Sequence, residues 1–267
     1  MGGERNTIDS TLAGATLTST AVKFDYNPVA MMPDVRVIKV GGQSIMDRGR
    51  AAVFPVLDEL VAIKDKYRML LCCGGGTRAR HIYAVASDLE MPTGVLAALG
   101  GYVPRQNARM LQMLLAKHGG LFIMHDDFEK LPLYFAMGCL PIMTGMPPFG
   151  YWEKPGENGR IPANRTDSGV FLSAEVLGAK RALFIKDEDG LYTNDPKKDK
   201  GAKLIPRIAA QELIDMDLPD LVLERVVIQY LTRARFCTEL QIVNGTKPGM
   251  ITRALAGEDV GTIIYKG

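Results

Sequence analysis

Cysteine and histidine are scarce in this sequence. Among 267 residues there are four cysteines and three histidines, and the cysteines show no Cys-x-x-Cys spacing. Cys72 and Cys73 are adjacent, and in a strand they should point to opposite faces. A reduced protein of the cytoplasm is therefore expected.

The chain also lacks an excess of charge and a long hydrophobic run. Its formal net charge is +2, so no strong basic field would draw nucleic acid or an anionic membrane to it. No apolar run approaches the length of a membrane span, and the N-terminus has neither the basic start nor the apolar core of a signal peptide. We expect a small molecule as the ligand, no membrane contact and no secretion.

The composition, 47% hydrophobic and 23% charged, is that of an ordinary globular protein. Residues 1–34 are rich in Thr, Ser, Gly and Ala and have little apolar period. They predict an arm outside the core, either disordered or crossing a partner subunit. From Val35 strands and helices alternate, which predicts an α/β domain over residues 35–267 with a parallel sheet.

The alternating part of the chain gives a set of predicted elements. Strands are predicted at 35–40, 68–73, 121–124, 140–144, 182–185, 239–243 and 261–265. Helices are predicted at 47–66, from 77, at 104–118, 166–177, 209–216 and 221–236, and after 248. Pro104 suits the first turn of its helix, and Thr166 or Asp167 suits the N-cap of the helix at 166–177. The proline-rich stretch 146–165 predicts a long ordered loop of a kind that is usually functional or mobile.

Glycines follow two of the predicted strands, close to basic side chains. The set is Lys39, Gly41 and Gly42 at the first strand, and Gly74, Gly75, Gly76 and Arg78 at the second. Glycines let backbone N–H groups approach phosphate oxygens, lysine neutralises a transferred phosphoryl group, and a helix N-terminus attracts anions. The first turn alone could equally be a tight turn with a solvated lysine, but the two turns together predict a phosphate site.

The second glycine turn also matches the dinucleotide-binding pattern Gly-x-Gly-x-x-Ala, which makes a Rossmann oxidoreductase a competitor. That pattern normally follows the first strand of its unit, with an acidic residue about twenty positions on at the end of the next strand. Asp88 and Glu90 come too early, before any new strand, so we treat the match as accidental. A P-loop is excluded, because no Gly-x-x-x-x-Gly-Lys-Ser/Thr sequence occurs.

The stretch from Lys186 to Lys197 follows a predicted strand and packs charge, a turn and one aromatic side chain together. Polar groups at the carboxyl ends of strands in open α/β folds lie where ligands bind. Taken alone, the stretch could nearly as well be a solvated turn. Asp167, at the start of its helix, could cap that helix, hold Lys39 in place or bind magnesium.

Taken in order, these features resemble the amino acid kinase superfamily, of which the uridylate kinases are a branch. The resemblance runs from Val35 to the C-terminus and implies a three-layer αβα sandwich with a mainly parallel central sheet. It also implies a site for ATP and Mg²⁺, with Lys39, Asp167 and Lys186 as catalytic residues. The implied ATP-binding residues are Gly41, Gly42, Gly74, Gly75, Gly76 and Arg78 on the phosphate side, and Asp189, Gly190, Tyr192, Asp195 and Lys197 on the nucleoside side.

Further segments are similar to the beta subunits of the molybdenum storage proteins. They are Ile38–Arg50, Thr77–His81, Gln106–Asn107, Gly145–Pro148 and Arg253–Glu258. This resemblance implies an (alpha-beta)3 hexamer that encloses polyoxomolybdate or polyoxotungstate clusters, with ATP and magnesium driving oxoanion loading. It implies storage rather than phosphorylation of a metabolite, with an alpha subunit as partner. Whether this chain itself hydrolyses ATP stays open.

Oxometalate clusters are strongly anionic and need ligands that face a cavity, and two residues are candidates. His125 matches a cluster-lining position of the family's alpha chain, although a lone histidine is more often a surface or satisfied residue. Gln106 lies near the predicted start of helix 104–118, where the helix dipole favours an anion; a solvated helix start is an equal alternative. The loop after Pro147 and Pro148 lacks the histidine cluster of the alpha chain, which fits a beta-type subunit.

Two alternatives to storage stay open. A uridylate kinase-like phosphotransferase would act on a nucleoside monophosphate or another small acceptor, although no residue set clearly recognises such an acceptor. A structural subunit would keep the fold without turnover. The sequence does not decide between molybdate and tungstate as the preferred oxoanion.

Overall fold

A computed structural model of the protein describes residues 29–156, 160–219 and 221–267. Most of the predicted N-terminal arm, residues 1–28, lies outside the described residues. At the end of that arm Met32 is buried, and its backbone N–H donates to the carbonyl of Leu177 at 2.6 Å. The chain therefore joins the core just before the first strand.

A sheet of eight strands forms the centre of the fold. The strands among the described residues are β1 Arg36–Val40, β2 Met69–Cys73, β3 Gly120–Phe122, β4 Leu140–Thr144, β5 Arg181–Lys186, β6 Leu191–Tyr192, β7 Leu204–Ile205, β8 Arg207–Ala209, β9 Glu239–Asn244 and β10 Thr262–Tyr265. The sheet has the order β3-β4-β2-β1-β5-β9-β10-β8, while β6 and β7 pair with each other. Within the sheet only β9 and β10 pair antiparallel, so the sheet is mainly parallel.

Helices cover both faces of the sheet. They are α1 Arg50–Ile63, α2 Thr77–Asp88, α3 Thr93–Leu114, α4 Leu131–Ala136, α5 Thr166–Leu177, α6 Ala210–Asp215, α7 Arg225–Leu231 and α8 Met250–Leu255, with 3₁₀ turns at Met46–Arg48, Ala116–His118, His125–Lys130 and Gly150–Trp152. One apolar cluster joins α5, α6 and α7 to one face of the sheet, and a second joins α1, α3 and α8 to the other. The predicted three-layer αβα sandwich is therefore confirmed.

Alternation along the strands decides which side chains reach which helices. Cys72 packs in the cluster beneath α5 and Cys73 in the cluster beneath α1, which confirms that the adjacent cysteines point to opposite faces. Phe184 packs on the α5 side as well. Because successive side chains of a strand alternate, Lys186, two residues after Phe184, projects from the same face toward α5.

The helix predicted at 104–118 begins at Thr93 and ends at Leu114, so its predicted start was wrong. Pro104 lies in the helix interior, where its missing N–H removes one helical hydrogen bond. The ring instead packs on the second glycine turn, since a Cβ on Gly75 would lie 3.3 Å from Pro104 Cδ. Gly100, one turn earlier, leaves room for Tyr83, whose hydroxyl oxygen would lie 2.6 Å from a Cβ at that position.

Other boundaries also differ from the predictions. The helix predicted at 47–66 divides at Gly49, whose φ of 66° separates a 3₁₀ turn from α1. The helix predicted at 221–236 is shorter, Arg225–Leu231. The short strands β6, β7 and β8 were not predicted. Among the described residues, no helix combines the length and apolar character needed to cross a membrane.

Candidate functional site

A cleft of about 810 Å³ opens at the carboxyl ends of β1, β2 and β5. That volume lies in the range of about 300–1,000 Å³ that is usual for small-molecule sites. It brings together most of the residues predicted for the site: Lys39, Gly42, Gly74, Gly75, Gly76, Asp167, Lys186, Tyr192, Asp195 and Lys197. Residues from distant parts of the chain meet here because the parallel strands end at the same edge of the sheet.

The two glycine turns pack backbone against backbone on the floor of this cleft. A Cβ on Gly42 would lie 2.7 Å from the carbonyl carbon of Gly74, and a Cβ on Gly74 would lie 2.5 Å from the nitrogen of Gly42. Real Cβ atoms do not come so close to backbone, so a side chain at either position would force the turns apart. Glycine at these positions is therefore required by the contact between the turns.

The start of α2 carries a carboxylate where an anion was predicted. Gly76 has a φ of 73°, in the left-handed region, and is followed directly by α2. The backbone N–H of Thr77 donates to Oδ2 of Asp47 at 2.6 Å. A carboxylate oxygen thus takes the position at the helix N-terminus that a phosphate oxygen could also take.

Asn107, which is fully buried on α3, makes hydrogen bonds to the second glycine turn. Its amide nitrogen donates to the carbonyls of Gly74 at 2.6 Å and Gly75 at 3.3 Å, and its amide oxygen accepts from Arg78. In the sequence, Asn107 directly follows Gln106, the oxoanion candidate at the predicted helix start. Its hydrogen bonds instead go to the glycine turn, and they also draw Arg78 away from the cleft lining.

A buried ion-pair cluster forms the centre of the cleft. Lys39 is 3% exposed, and its ammonium donates to Thr166 Oγ1 at 2.8 Å and to Asp167 Oδ1. Lys186 Nζ lies 3.5 Å from the same carboxylate oxygen. One carboxylate at the start of α5 therefore pairs with two lysines from adjacent strands.

One prediction placed Asp167 at the N-cap of α5, but the structure does not. The N-cap residue is Arg165, which makes no side-chain capping bond, and Asp167 lies inside the first turn. Burial alone would raise the pKa of Asp167, but the charges of Lys186 and Lys39 hold that pKa at about 2. Burial lowers the pKa of Lys186, an effect that the charge of Asp167 opposes. The carboxylate of Asp167 and the two lysines thus share one buried cluster.

The backbone at the start of α5 is capped instead by Glu224, a buried residue that sequence analysis missed. Glu224 is 8% exposed and lines the cleft from the segment just before α7. It lies 57 positions from Asp167 in the sequence and belongs to no local motif. Sequence spacing therefore held no signal for it.

Charged side chains form the wall that was predicted on the nucleoside side. Arg48 pairs with Asp187 at 2.9 Å, and Lys197 pairs with Glu188 at 2.7 Å. Tyr192 lines the cleft beside them, and burial raises its pKa. The backbone N–H of Lys197 donates to Oδ1 of Asp195 at 2.9 Å, which shapes the turn.

Three predicted ATP-binding residues besides Arg78 do not line the cleft. The backbone N–H of Gly41 donates to the carbonyl of Ile185 at 3.1 Å, at the seam of β1 and β5. Asp189 pairs with Lys247 at 2.7 Å. Gly190 packs beside Thr262, whose Cβ lies 3.0 Å from the position of an added Cβ. These residues make structural contacts next to the cleft and do not face it.

His125 lies outside the cleft lining, at the start of a 3₁₀ turn. It is half-buried, its Nε2 lies 2.9 Å from the carbonyl oxygen of Met146, and burial lowers its pKa. In this position the imidazole ring is neutral and hydrogen-bonded to the backbone.

Gln106 also lies apart from the cleft, in a shallow groove of about 460 Å³ with Tyr102, Arg105 and Arg109. Because α3 starts at Thr93, Gln106 is in the helix interior. The helix-dipole argument for oxoanion binding at this residue was therefore wrong.

Cation binding in the cleft would depend on a ligand. Among the residues that the structure describes, no group of three or more His, Cys, Asp or Glu side chains is placed to hold a metal ion. Mg²⁺ is commonly held by one or two carboxylates together with substrate phosphates. The carboxylates of Asp47, Asp187 and Glu188 line the cleft, so the donor set fits a magnesium ion that arrives with a nucleotide.

Sequence comparisons agree with this architecture. The profile of the amino acid kinase family matches residues 34–230. The chain is 50% identical over 234 residues to the molybdenum storage protein subunit beta of Azotobacter vinelandii, covering 88% of this chain and 87% of that protein. It is 29% identical over 237 residues to the uridylate kinase of Hyperthermus butylicus, covering 85% of this chain and 96% of the relative.

Solved structures give the same fold at lower identity. The uridylate kinase of Archaeoglobus fulgidus superposes with a TM-score of 0.66 at 21% identity, covering 86% of this chain and 99% of the other. The UMP kinase of Ureaplasma parvum gives a TM-score of 0.65 at 20% identity, covering 88% of this chain and 100% of the other. At these identities the likeness establishes the fold alone.

Proposed function

The chain belongs to the amino acid kinase family, and from this premise we propose that it is the beta-type, ATP-binding subunit of a molybdenum and tungsten storage protein. The observation that carries the proposal is the 50% identity to a storage protein subunit beta across nearly the whole chain. The uridylate kinase relatives have the same fold but share less than a third of their residues with it. The cleft supports the ATP-binding part of the proposal.

In the proposed site, ATP lies with its phosphates over the two glycine turns. Lys39 and Lys186 face those phosphates, and Asp167 keeps both ammonium groups in place. The nucleoside lies along the wall that carries Tyr192, Asp195 and Lys197. The cleft is large enough for such a ligand, and its floor is backbone at the point where phosphate oxygens need N–H donors.

Magnesium would accompany the nucleotide in this proposal and would neutralise charge on its phosphates. Asp187 and Glu188 are the candidate carboxylates, because both line the cleft and their ion-pair partners, Arg48 and Lys197, are exposed side chains. Asp167 is a poorer candidate, since its Oδ1 pairs with two lysines and its Oδ2 accepts the N–H of Glu224 at 3.2 Å. Of the roles suggested for Asp167, orienting the lysines fits this geometry best.

Molybdate or tungstate is the cargo of the proposed protein. Arg80 and Arg165 line the same cleft, and cationic side chains of this kind attract oxoanions. We propose that ATP hydrolysis in this cleft drives oxoanion loading. Lys39 and Lys186 would stabilise the negative charge on the phosphoryl group during hydrolysis. The loaded oxide clusters would then be held in the interior of the assembly, with His125 and Gln106 kept as candidate contacts.

An alpha subunit is the proposed partner, in an (alpha-beta)3 hexamer. The chain has three histidines in all, so most ligands of an oxide cluster would come from a second type of chain. The four cysteines are free, which accords with a reducing cytoplasm as the compartment. We expect neither nucleic acid nor a membrane to be a partner.

A uridylate kinase-like phosphotransferase is the second candidate, favoured by the 29% identity to the uridylate kinase of Hyperthermus butylicus over 85% of this chain. The cleft continues past Lys39 to Tyr83, Gly100 and Met146, where a small acceptor could lie. Such an enzyme would transfer the terminal phosphoryl group of ATP to a nucleoside monophosphate. The storage subunit would instead retain metal and transfer little phosphate.

One experiment separates the two candidates. The protein is incubated with ATP, magnesium and molybdate, passed over a desalting column and assayed for retained molybdenum; a parallel sample receives UMP, and UDP is measured. Storage predicts ATP-dependent molybdenum retention, lost when ATP is replaced by a non-hydrolysable analogue, together with little UDP. Robust UDP formation without retained metal, also after the partner subunit is added, would reject storage in favour of the kinase.

A further inference from the structure

Asp167 and Glu224 are joined by two reciprocal hydrogen bonds. The backbone N–H of Asp167 donates to Oε1 of Glu224 at 3.0 Å, and the backbone N–H of Glu224 donates to Oδ2 of Asp167 at 3.2 Å. Each residue therefore fixes the backbone of the other through its carboxylate. Both residues are buried.

Glu224 also accepts two further backbone N–H groups where α5 begins. Its Oε2 accepts from the backbone N–H groups of Arg165 at 3.1 Å and Ser168 at 3.0 Å. The first N–H groups of a helix have no partner within the helix and need acceptors from elsewhere. Here one carboxylate from a distant segment accepts the N–H groups of Arg165, Asp167 and Ser168, and its negative charge suits the helix N-terminus.

The side chain of Asp167 is consequently held from both ends. Its Oδ2 is committed to the N–H of Glu224, so its Oδ1 is left facing Lys39 and Lys186. If the start of α5 moved, the carboxylate would lose this direction and both ammonium groups would lose their shared acceptor.

We propose that Glu224 is a positioning residue for the cleft: its carboxylate fixes the start of α5 and thereby directs Asp167 at Lys39 and Lys186. The inference deepens the proposed function, because those lysines are the ones placed at the phosphates. Glu224 acts through Asp167 and needs no contact with a ligand of its own.

Burial and the neighbouring charges together raise the pKa of Glu224 above its ordinary value. Burial raises the pKa of Glu224 and the adjacent Asp167 raises it further, whereas Lys39 and Arg165 lower it. The free-energy cost of burying this carboxylate is offset by the N–H groups that donate to it and by the nearby cations.

The chain offers a matched control in Glu175, on α5. Its carboxylate accepts three backbone N–H groups, those of Arg235 at 2.7 Å, Phe236 at 3.0 Å and Cys237 at 2.8 Å. Glu175 does not line the cleft. Glu175→Gln therefore removes the same kind of interaction without touching Asp167.

The test compares wild type, Glu224→Gln and Glu175→Gln in two assays. The first measures how fast an amine-reactive reagent modifies Lys39 and Lys186. The full chain is labelled with and without ATP and magnesium, and mass spectrometry quantifies the modification at each of the two lysines. The second measures the Kd for ATP. Both lysines are nearly buried and ion-paired in wild type, with side chains 4% and 16% exposed, so they should react slowly.

We expect Glu224→Gln to raise the modification rate of Lys39 and the Kd for ATP by about tenfold each, the factor that corresponds to about 1.4 kcal/mol. Glu175→Gln should leave both values at the wild-type level. Equal modification rates in the two variants would overturn the positioning role. A wild-type protein in which ATP neither binds nor protects Lys39 would refute the proposed function alone, since the rates without ATP still test Glu224.

A second pair of variants, with shorter acidic side chains, is used if Glu224→Gln fails to fold. Glu224→Asp keeps the charge but withdraws the carboxylate by one methylene, and Glu175→Asp does the same at the control site. Faster modification of Lys39 in Glu224→Asp than in Glu175→Asp supports the inference, and equal rates contradict it.

Discussion

Replacing Lys39 with methionine tests the proposed phosphate side of the cleft. Methionine keeps most of the apolar stem and removes the ammonium that donates to Thr166 and Asp167. Asp167 would then face Lys186 alone, at 3.5 Å. Losing one partner of this buried cluster should lower the free energy of unfolding by about 1–3 kcal/mol.

The effect on ATP binding should be similar in size to the effect on folding. At an ATP concentration about one hundred times Kd, binding stabilises the wild type by about 2.7 kcal/mol, which raises the Tm of a chain of this size by about 5–10 °C. Loss of one charge-assisted hydrogen bond to phosphate, about 2 kcal/mol, raises Kd about thirtyfold. About 0.9 kcal/mol of stabilisation then remains, which is a shift of about 2–4 °C.

The assay is thermal unfolding with and without ATP and magnesium, and Lys117→Met is the control. Lys117 is exposed and does not line the cleft, so its variant should keep the full ATP shift. If Lys39→Met showed the same ATP-induced shift as the control, Lys39 would not face the phosphates and the assignment of this side of the cleft would fail.

Three further variants test the packing and the titration behaviour. Gly42→Ala should lower the free energy of unfolding by about 1–3 kcal/mol and weaken ATP binding, because its Cβ would lie 2.7 Å from Gly74. Gly101→Ala, within α3 and 3.7 Å from the nearest atom of Met146, should instead stabilise by about 0.5–1 kcal/mol; equal effects in urea unfolding would contradict this contrast. Burial lowers the pKa of His125 below 6.5. Between that lowered pKa and about 6.5 the unfolded state therefore binds more protons than the folded state, and the free energy of unfolding should fall as the pH drops below about 6.5. His125→Gln should flatten the pH dependence there, whereas unchanged slopes would show that His125 does not contribute.

The strand ends of this fold were predictable because their signals are local. Lys39 and the glycines stand next to apolar runs, and parallel strands bring their carboxyl ends to one edge. The position of Gly42 against Gly74 follows from that adjacency. The faces of Cys72 and Cys73 follow from strand alternation alone.

Features that depend on tertiary contacts could not be predicted in this way. The start of α3 was misplaced because Gly100 and Pro104 look like helix breakers. Tyr83 fills the space above Gly100, and the ring of Pro104 packs on a glycine turn. Glu224 was missed for a related reason, since its partners at the start of α5 are 56 to 59 positions away in sequence.

The metal content of the protein tests the central claim most directly. The chain is produced with its partner subunit in cells supplied with molybdate or tungstate, purified, and assayed for molybdenum, tungsten and protein. A storage protein should hold several metal atoms per chain, and these should be lost when Lys39→Met replaces the wild-type chain. Less than one metal atom per chain, combined with robust phosphate transfer to a nucleoside monophosphate, would contradict it.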